Sequence, residues 1–504
     1  MPLLTLTLLG CLAVLGYHLC RTRIPNGVKL PPGPKGLPFL GLIRGVPHDY
    51  AWLTYSKWAK QFGPVVYLKT YGQPLMILNS YKTANALLEK RSAIYSGRQR
   101  MVMADELMGW DWDFLHMTYS ERWRKHRRVF AQSFQSRSIP GYHPIIRRAA
   151  LQLVYNFSVN PERISNHLRH FASGIVLRIA YGYDVTSSND EYVRLAQVAL
   201  APLRLVHARS YLVEYIPALK YIPCWFPGAK FKRQAKEWSK EAMHFRDSPF
   251  QSVKDFMLSE AFTPCMVSEY FDKARNKASN GRVEELVRNC AGVAYAAGTD
   301  TTFSLLESWL LAMAKFPKVQ ERAYRELFSV IGTNRLPDFS DRPSLPYLGA
   351  MVLETLRWFP TAPTGVPHTV AQDNIYENYF IPGGTTVIVN FWAISRDSEL
   401  YPDPDEYMPE RFLPGEGKQP QLDPAEAGAF GFGRRICPGR HLGMSSAWLA
   451  MGYILALYEI SPGLDENGDK FRLDAETTTG ITMYLFSKHL FILYLIQGLA
   501  ILRT

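Results

Sequence analysis

Phe430-Gly431-Phe432-Gly433-Arg434-Arg435-Ile436-Cys437-Pro438-Gly439 surrounds one thiol with neighbours that have a chemical reason to be there. Gly431, Gly433 and Gly439 permit tight turns and close backbone approach, and Pro438 fixes the chain just after the sulfur. A thiolate that ligates a metal wants backbone N–H groups aimed at it, because they tune its basicity and with it the metal's potential. A helix beginning near Gly439 would add its positive end. Arg435, two residues before the sulfur, can pair with an anionic carboxylate beside the same metal. Zinc does not fit this spacing: His441 is four residues on and has no further ligand partners. The other cysteines, at 11, 20, 224, 265 and 290, show neither CxxC nor paired spacing. They read as small buried hydrophobes in a reducing compartment, with no disulfide framework.

Other constellations could do related chemistry. Ala297-Gly298-Thr299-Asp300-Thr301-Thr302 lies inside a long helical pattern, where a glycine and successive hydroxyls invite a local distortion of the hydrogen-bond ladder. Glu354 and Arg357 stand three apart, so on a helix they share a face and can pair. Trp123 and Arg127, four apart, share a face within the basic cluster Arg122–Arg128. Three stretches are apolar with few polar anchors: 101–115, with Met103, Met108, Trp112 and Phe114; 361–366, with Thr364 and Val366; and 478–481, ending on Ile481. Together with Ala297 they suggest a lipophilic substrate pocket.

The elements that must position these groups follow from pattern. Val65–Leu68 and Leu75–Leu78 predict a hairpin turning at Gly72, helical periodicity dominates from about 80 to 360, and residues 283–313 predict one unusually long helix. A strand signal returns at 385–390. No linker, repeat or low-complexity tract divides the 504 residues, and 47% hydrophobic with 13% aromatic content suffices for one large core. Residues 3–20 are uncharged and apolar, long enough to span a bilayer, and Arg21, Arg23 and Lys29 follow, which predicts a cytosolic body behind an N-terminal anchor over 1–23. Four prolines between 31 and 38 predict a stiff extended hinge over 24–40, with a single domain over 41–504. The net charge of +12 suits an anionic membrane surface or an acidic protein partner. No Lys/Arg stripe with interleaved aromatics points to nucleic acid.

The cysteine stretch matches F-x-x-G-x-R-x-C-x-G at every fixed position and so resembles the heme-binding loop of the cytochrome P450 family. The resemblance covers about residues 30–480 and looks most like fungal members of specialised metabolism. It implies the cytochrome P450 fold, mainly α with small β-sheets (α+β), behind an N-terminal transmembrane helix. It implies heme b with Cys437 as axial thiolate, Trp123, Arg127, His368 and Arg435 holding its propionates, and a structural Glu354–Arg357–Arg411 network, the last residue from Pro409-Glu410-Arg411-Phe412. Asp300 and Thr301 match the family's acid–alcohol pair, which relays protons during oxygen activation. The implied activity is monooxygenation of a lipophilic small molecule, a terpenoid, indole or other aromatic, or polyketide. Its electrons would come from an NADPH–cytochrome P450 reductase, with cytochrome b5 as a second donor, because no G-x-G-x-x-G follows a strand anywhere in the chain. The implied location is the endoplasmic reticulum membrane, single-pass. A heme-thiolate isomerase or dehydratase and a non-catalytic heme sensor share the loop, but Asp300 and Thr301 favour oxygen activation. The chain departs from the family at its end: from Leu490 to Leu502 it is far more apolar than the polar ending expected.

Overall fold

Val65–Thr70 (β1) and Gln73–Leu78 (β2) pair antiparallel with Val65 opposite Leu78. Between them Tyr71 and Gly72 both take positive φ, 47° and 80°, the mirror-image turn whose twist matches the flanking strands. A computed structural model describes residues 24–495 apart from 39, 44–46, 48, 187–189, 209–210, 258–262, 275–279, 416–418, 465–468, 471–472, 474–477, 479–481 and 484–490. The expected anchor over 1–23, the tail beyond 495 and Ile481 fall outside the described residues. Among those described, no helix is long and apolar enough to cross a membrane.

The hairpin extends into a five-stranded sheet through partners distant in sequence. Gly97–Arg98 (β3), His368–Thr369 (β4) and Thr386–Val389 (β7) complete the order β1-β2-β7-β4-β3, with β2 and β7 parallel, Met76 beside Val387. Asn374–Tyr376 (β5) and Tyr379–Ile381 (β6) form one two-stranded sheet, and Tyr458–Pro462 (β8) with Phe491–Leu495 (β9) another. The apolar carboxyl end is thus a strand as far as Leu495. The proline-rich stretch is extended, as its prolines require, yet it lies on the sheet and is no free spacer. Tyr67 donates its N–H to the Pro32 carbonyl at 2.8 Å, and Lys29 pairs with Tyr379. Gly33 permits this, since a Cβ there would sit 1.9 Å from the Tyr67 carbonyl oxygen.

Helices make up the rest: α1 (Ala51–Phe62), α2 (Glu121–Phe134), α3 (His143–Val159), α4 (Ile164–Tyr181), α5 (Glu191–Ala208), α6 (Lys230–Phe256), α7 (Met266–Ala274), α8 (Asn280–Lys315), α9 (Pro317–Ile331), α10 (Pro346–Trp358) and α11 (Arg440–Leu457). Ser120 caps α2 by accepting the Trp123 N–H, which fixes where that helix starts and so which residues face inward. The 36-residue α8 packs on α2, α4, α6, α7, α10 and α11. It is apolar on most sides, as a helix enclosed by others must be. The helix runs without a break from Asn280 to Lys315, through the hydroxyl-rich 297–302. Gly298 serves close packing: a Cβ there would lie 2.5 Å from Val176 Cγ2 of α4. The hydroxyls of Thr299 and Thr301 bond back to the carbonyls of Tyr295 and Ala297 at 2.9 and 2.8 Å, which satisfies both hydroxyls within the helix.

Candidate functional site

Three glycines let the cysteine loop fold back on itself. Gly428, Gly431 and Gly433 have φ of 116°, 75° and 54°, and a Cβ on Gly433 would meet the Leu88 carbonyl oxygen at 2.4 Å. Any other residue at 433 would therefore push the loop off the 85–92 segment beneath it. The Cys437 N–H closes the turn onto the Phe430 carbonyl at 2.8 Å. α11 then starts at Arg440, so the N–H groups of Gly439 and Arg440 point at the sulfur. Burial pushes the Cys437 thiol up, whereas those N–H groups and the Arg127 and Arg440 charges pull it down. A half-buried sulfur surrounded by donors and cations suits a thiolate bound to a metal.

Beside the sulfur lies a cluster of cations. Arg127, reaching in from α2, donates to the carbonyl of Ile436, the residue before Cys437. Arg435 lies over the Trp123 ring at 4.3 Å and donates to the carbonyls of Ser96 and Met117 at 2.9 and 2.7 Å. Arg98, which no sequence motif marks, donates to the carbonyls of Leu115, Val366 and Pro367 at 2.9–3.0 Å. His368 binds the Tyr95 carbonyl through Nδ1 at 2.7 Å. Burial first, and then mutual repulsion, holds Arg435 down to about 10 and pushes Arg98 and His368 well below their ordinary values. Among the described residues none of Arg98, Arg127 and Arg435 forms an ion pair with a carboxylate. Such a cluster is costly unless an anion compensates it. A metal-centred group with two carboxylates, as heme is, fits both the sulfur and these cations.

On α8, Ala297 and Thr301 are exposed although flanked by the buried Val293, Ala294, Thr299, Asp300 and Phe303. They stand four apart, so one face of this enclosed helix presents a small side chain and a hydroxyl to open space. Asp300 turns to other elements. Its Oδ2 meets Arg204 of α5 at 2.5 Å and its Oδ1 lies 3.9 Å from Arg169 of α4. Structure brings Asp300 and Thr301 together by adjacency alone, with the carboxylate committed to arginines that sequence spacing could not announce.

Glu354 and Arg357 of α10 pair in two parallel bonds of 2.7 and 2.8 Å, and Arg411 reaches the same carboxylate at 3.1 Å. All three are buried. Arg357 also donates to the carbonyls of Ser395, Pro404 and Glu406, and the Met408 N–H donates to Glu354. The segment 395–411 is thereby tied to α10, and removing one charge would leave the others buried and unpaired, at about 3–5 kcal/mol.

The expected pocket residues divide. Thr364 and Val366 are part-buried, the Val366 carbonyl accepting from Arg98, and Ala297 is exposed. Met103 and Met108 are fully buried in the helical core. Trp112 packs against Trp110 and over Gly292, and Phe114 packs edge-on against Phe130 at 5.2 Å. The alternation of large apolar groups in 101–115 therefore serves core packing at Trp112 and Phe114, because the segment dives between α2, α6 and α8.

A sequence profile of the cytochrome P450 family matches residues 31–481. The chain is similar to cytochrome P450 monooxygenase COX2 of Coprinopsis cinerea, 38% identical over 94% of this chain and 90% of that protein. It is similar to tryptamine 4-monooxygenase of Psilocybe cyanescens, 37% identical over 95% of this chain and 94% of that protein. It is also similar to cytochrome P450 monooxygenase ple1 of Rhodocybe pseudopiperita, 39% identical over 87% and 84%.

Proposed function

The chain belongs to the cytochrome P450 family, with heme as its cofactor and Cys437 as the axial thiolate, and from that premise we propose that it oxygenates a lipophilic terpenoid, indole or polyketide in fungal specialised metabolism. It is a monooxygenase. When bound, heme supplies the reductive activation of O₂ and the transfer of one oxygen atom to carbon. The observation that carries the reading is Cys437, half-buried, with the Gly439 and Arg440 N–H groups directed at its sulfur and Arg127 held beside it on the Ile436 carbonyl.

The chain's own residues divide the remaining work. Trp123, Arg127, Arg435, Arg98 and His368 would hold the propionates, replacing cation–cation repulsion with charge-assisted bonds. With Nδ1–H given to Tyr95, a neutral His368 has only a lone pair at Nε2, so it offers a carboxylate a proton only as the imidazolium. Thr301 presents its hydroxyl on the open face of α8 and moves a proton there. Arg204 and Arg169 hold the Asp300 carboxylate in place next to it. An indole substrate is supported by the relative named for tryptamine, and the apolar character of 361–366 supports low polarity generally. Electrons are proposed to come from an NADPH-dependent reductase, with cytochrome b5 as a second donor. Residues 3–20, followed by Arg21 and Arg23, support a single-pass anchor in the endoplasmic reticulum with the catalytic body in the cytosol.

The reduced CO complex should absorb at the long-wavelength position of thiolate ligation, and Cys437→Ser should lose that band while keeping the fold by circular dichroism. Retention of the band in the variant defeats the ligand assignment. Difference spectra against terpenoids, indoles and polyketides then test the substrate class; a panel that leaves the heme spectrum unmoved and yields no oxygenated product defeats it.

A further inference from the structure

His116 and His207 meet ring to ring across two elements that border the site. Their Nε2 atoms are 3.2 Å apart and their ring centroids 5.1 Å. His116 Nδ1 faces Asp105 Oδ1 at 2.8 Å, and His207 Nδ1 faces the Leu203 carbonyl, its own preceding turn, at 2.8 Å. Tautomers follow from these partners. A carbonyl only accepts, so His207 carries its proton on Nδ1, and when neutral it has a lone pair on Nε2. His116 must then donate from Nε2, and because its Nδ1 also faces a carboxylate it carries protons on both nitrogens. The contact is whole with one cation on the pair: no proton there leaves two lone pairs opposed, and a second proton leaves two N–H groups and two charges opposed.

The pair is placed where this matters. His207 lies one turn beyond Arg204 on α5, and Arg204 holds Asp300 beside Thr301. His116 lies between Leu115 and Met117, whose carbonyls hold Arg98 and Arg435. The 101–117 segment is tied twice more, by Glu214 accepting the N–H groups of Val102 and Met103 at 2.8 Å each, and by Lys220 on Glu106 at 2.6 Å. We propose that His116 and His207 form a one-proton latch, which joins the 101–117 segment to α5, beside the further ties to Glu214 and Lys220, and controls entry of substrate to the heme pocket.

The surrounding charges support the assignment. Asp105 bonds His116, Asp113 lies close by, and Arg98 opposes them; Glu214 stands beyond Asp105. Although burial works against it, Asp105 raises His116 above the ordinary value, whereas burial and the His116 charge hold His207 down to about 4. A proton that the closed latch refuses at His207 is taken up by the open one, so closure weakens as pH falls from about 6.5 towards 4. The proton on His116 stabilises closure below that group's raised value, so closure also weakens as pH rises through it.

The inference rests on a heme-bearing pocket, so its test uses heme-loaded full-length enzyme. The probe is tert-butyl isocyanide, which binds reduced heme and does not titrate. Its association rate should be lowest near neutral pH and rise by up to about tenfold per unit towards pH 5, with a second rise at alkaline pH. His207→Gln keeps an acceptor that cannot be protonated, so the acid rise should vanish. Asp105→Asn should move the alkaline rise to lower pH, and it decides the matter if the glutamine variant fails to fold. A pH-independent rate in the native enzyme, or an acid rise unchanged in His207→Gln, overturns the latch. An absent thiolate band with CO would count against the heme reading instead.

Discussion

Thr301 is the residue whose chemistry is most exposed to test. Its hydroxyl donates to the Ala297 carbonyl at 2.8 Å, so its oxygen lone pairs face the open side of α8, where Ala297 also lies. Thr301→Ala removes a proton carrier and keeps the helix, since alanine is the better helix former. Product formed per NADPH consumed should fall, with the rate of oxygenation down on the order of 10²-fold and hydrogen peroxide rising in its place. Unchanged coupling in the variant would remove Thr301 from the proton path. What could be seen of this site beforehand was governed by distance along the chain. The Glu354–Arg357 pair and the common face of Trp123 and Arg127 depend on three- and four-residue spacing, so a helix delivers them automatically. Arg98 and Arg204 have partners 17 to 269 residues away, and no local pattern distinguishes them from surface arginines.

At the scale of elements, the close crossing of α4 and α8 sets how deep the site-bearing face of α8 lies. Gly298 was legible as special because a glycine followed by successive hydroxyls suggests a weakened ladder, and the structure gives it a second reason, that it brings Val176 against the backbone. The two explanations predict opposite signs. Were Gly298 only a flaw in the helix, alanine there would stabilise by roughly 0.5–1 kcal/mol. With a Cβ forced to 2.5 Å from Val176 Cγ2, overpacking of about 1–3 kcal/mol should win. Gly298→Ala should therefore lower the temperature at which heme is released, and adding Val176→Ala should recover much of the loss. Strict additivity of the two changes would show that the contact does not matter. The sheet teaches a related lesson. The β1–β2 hairpin is local and follows from its turn, whereas the pairing of β2 with β7 joins residues some three hundred apart and had no signature beyond two apolar runs.

Across the whole molecule the net charge of +12 is shared between two uses. One group of cations turns inward, where Arg127, Arg435 and Arg98 await carboxylates. The other stays in water on the outer face of the same α2 that sends Trp123 and Arg127 inward: Arg124 and Arg128 are exposed, four apart, while Arg122 and Lys125 are partly neutralised by Glu285 and Glu121. A single helix thus links the sulfur's surroundings to a positive surface. If that face receives an acidic reductase, association should depend on long-range attraction, and raising salt until the screening length falls to a few ångströms should slow reduction of the heme. Reversing both charges, Arg124→Glu with Arg128→Glu, should slow reductase-driven reduction on the order of tenfold or more, because steering acts mainly on the rate of encounter. Reduction by dithionite and the CO spectrum should be unaffected, since neither side chain touches the loop around Cys437. Equal reductase-driven rates in the native and doubly reversed proteins at low salt would move the docking face elsewhere on the molecule.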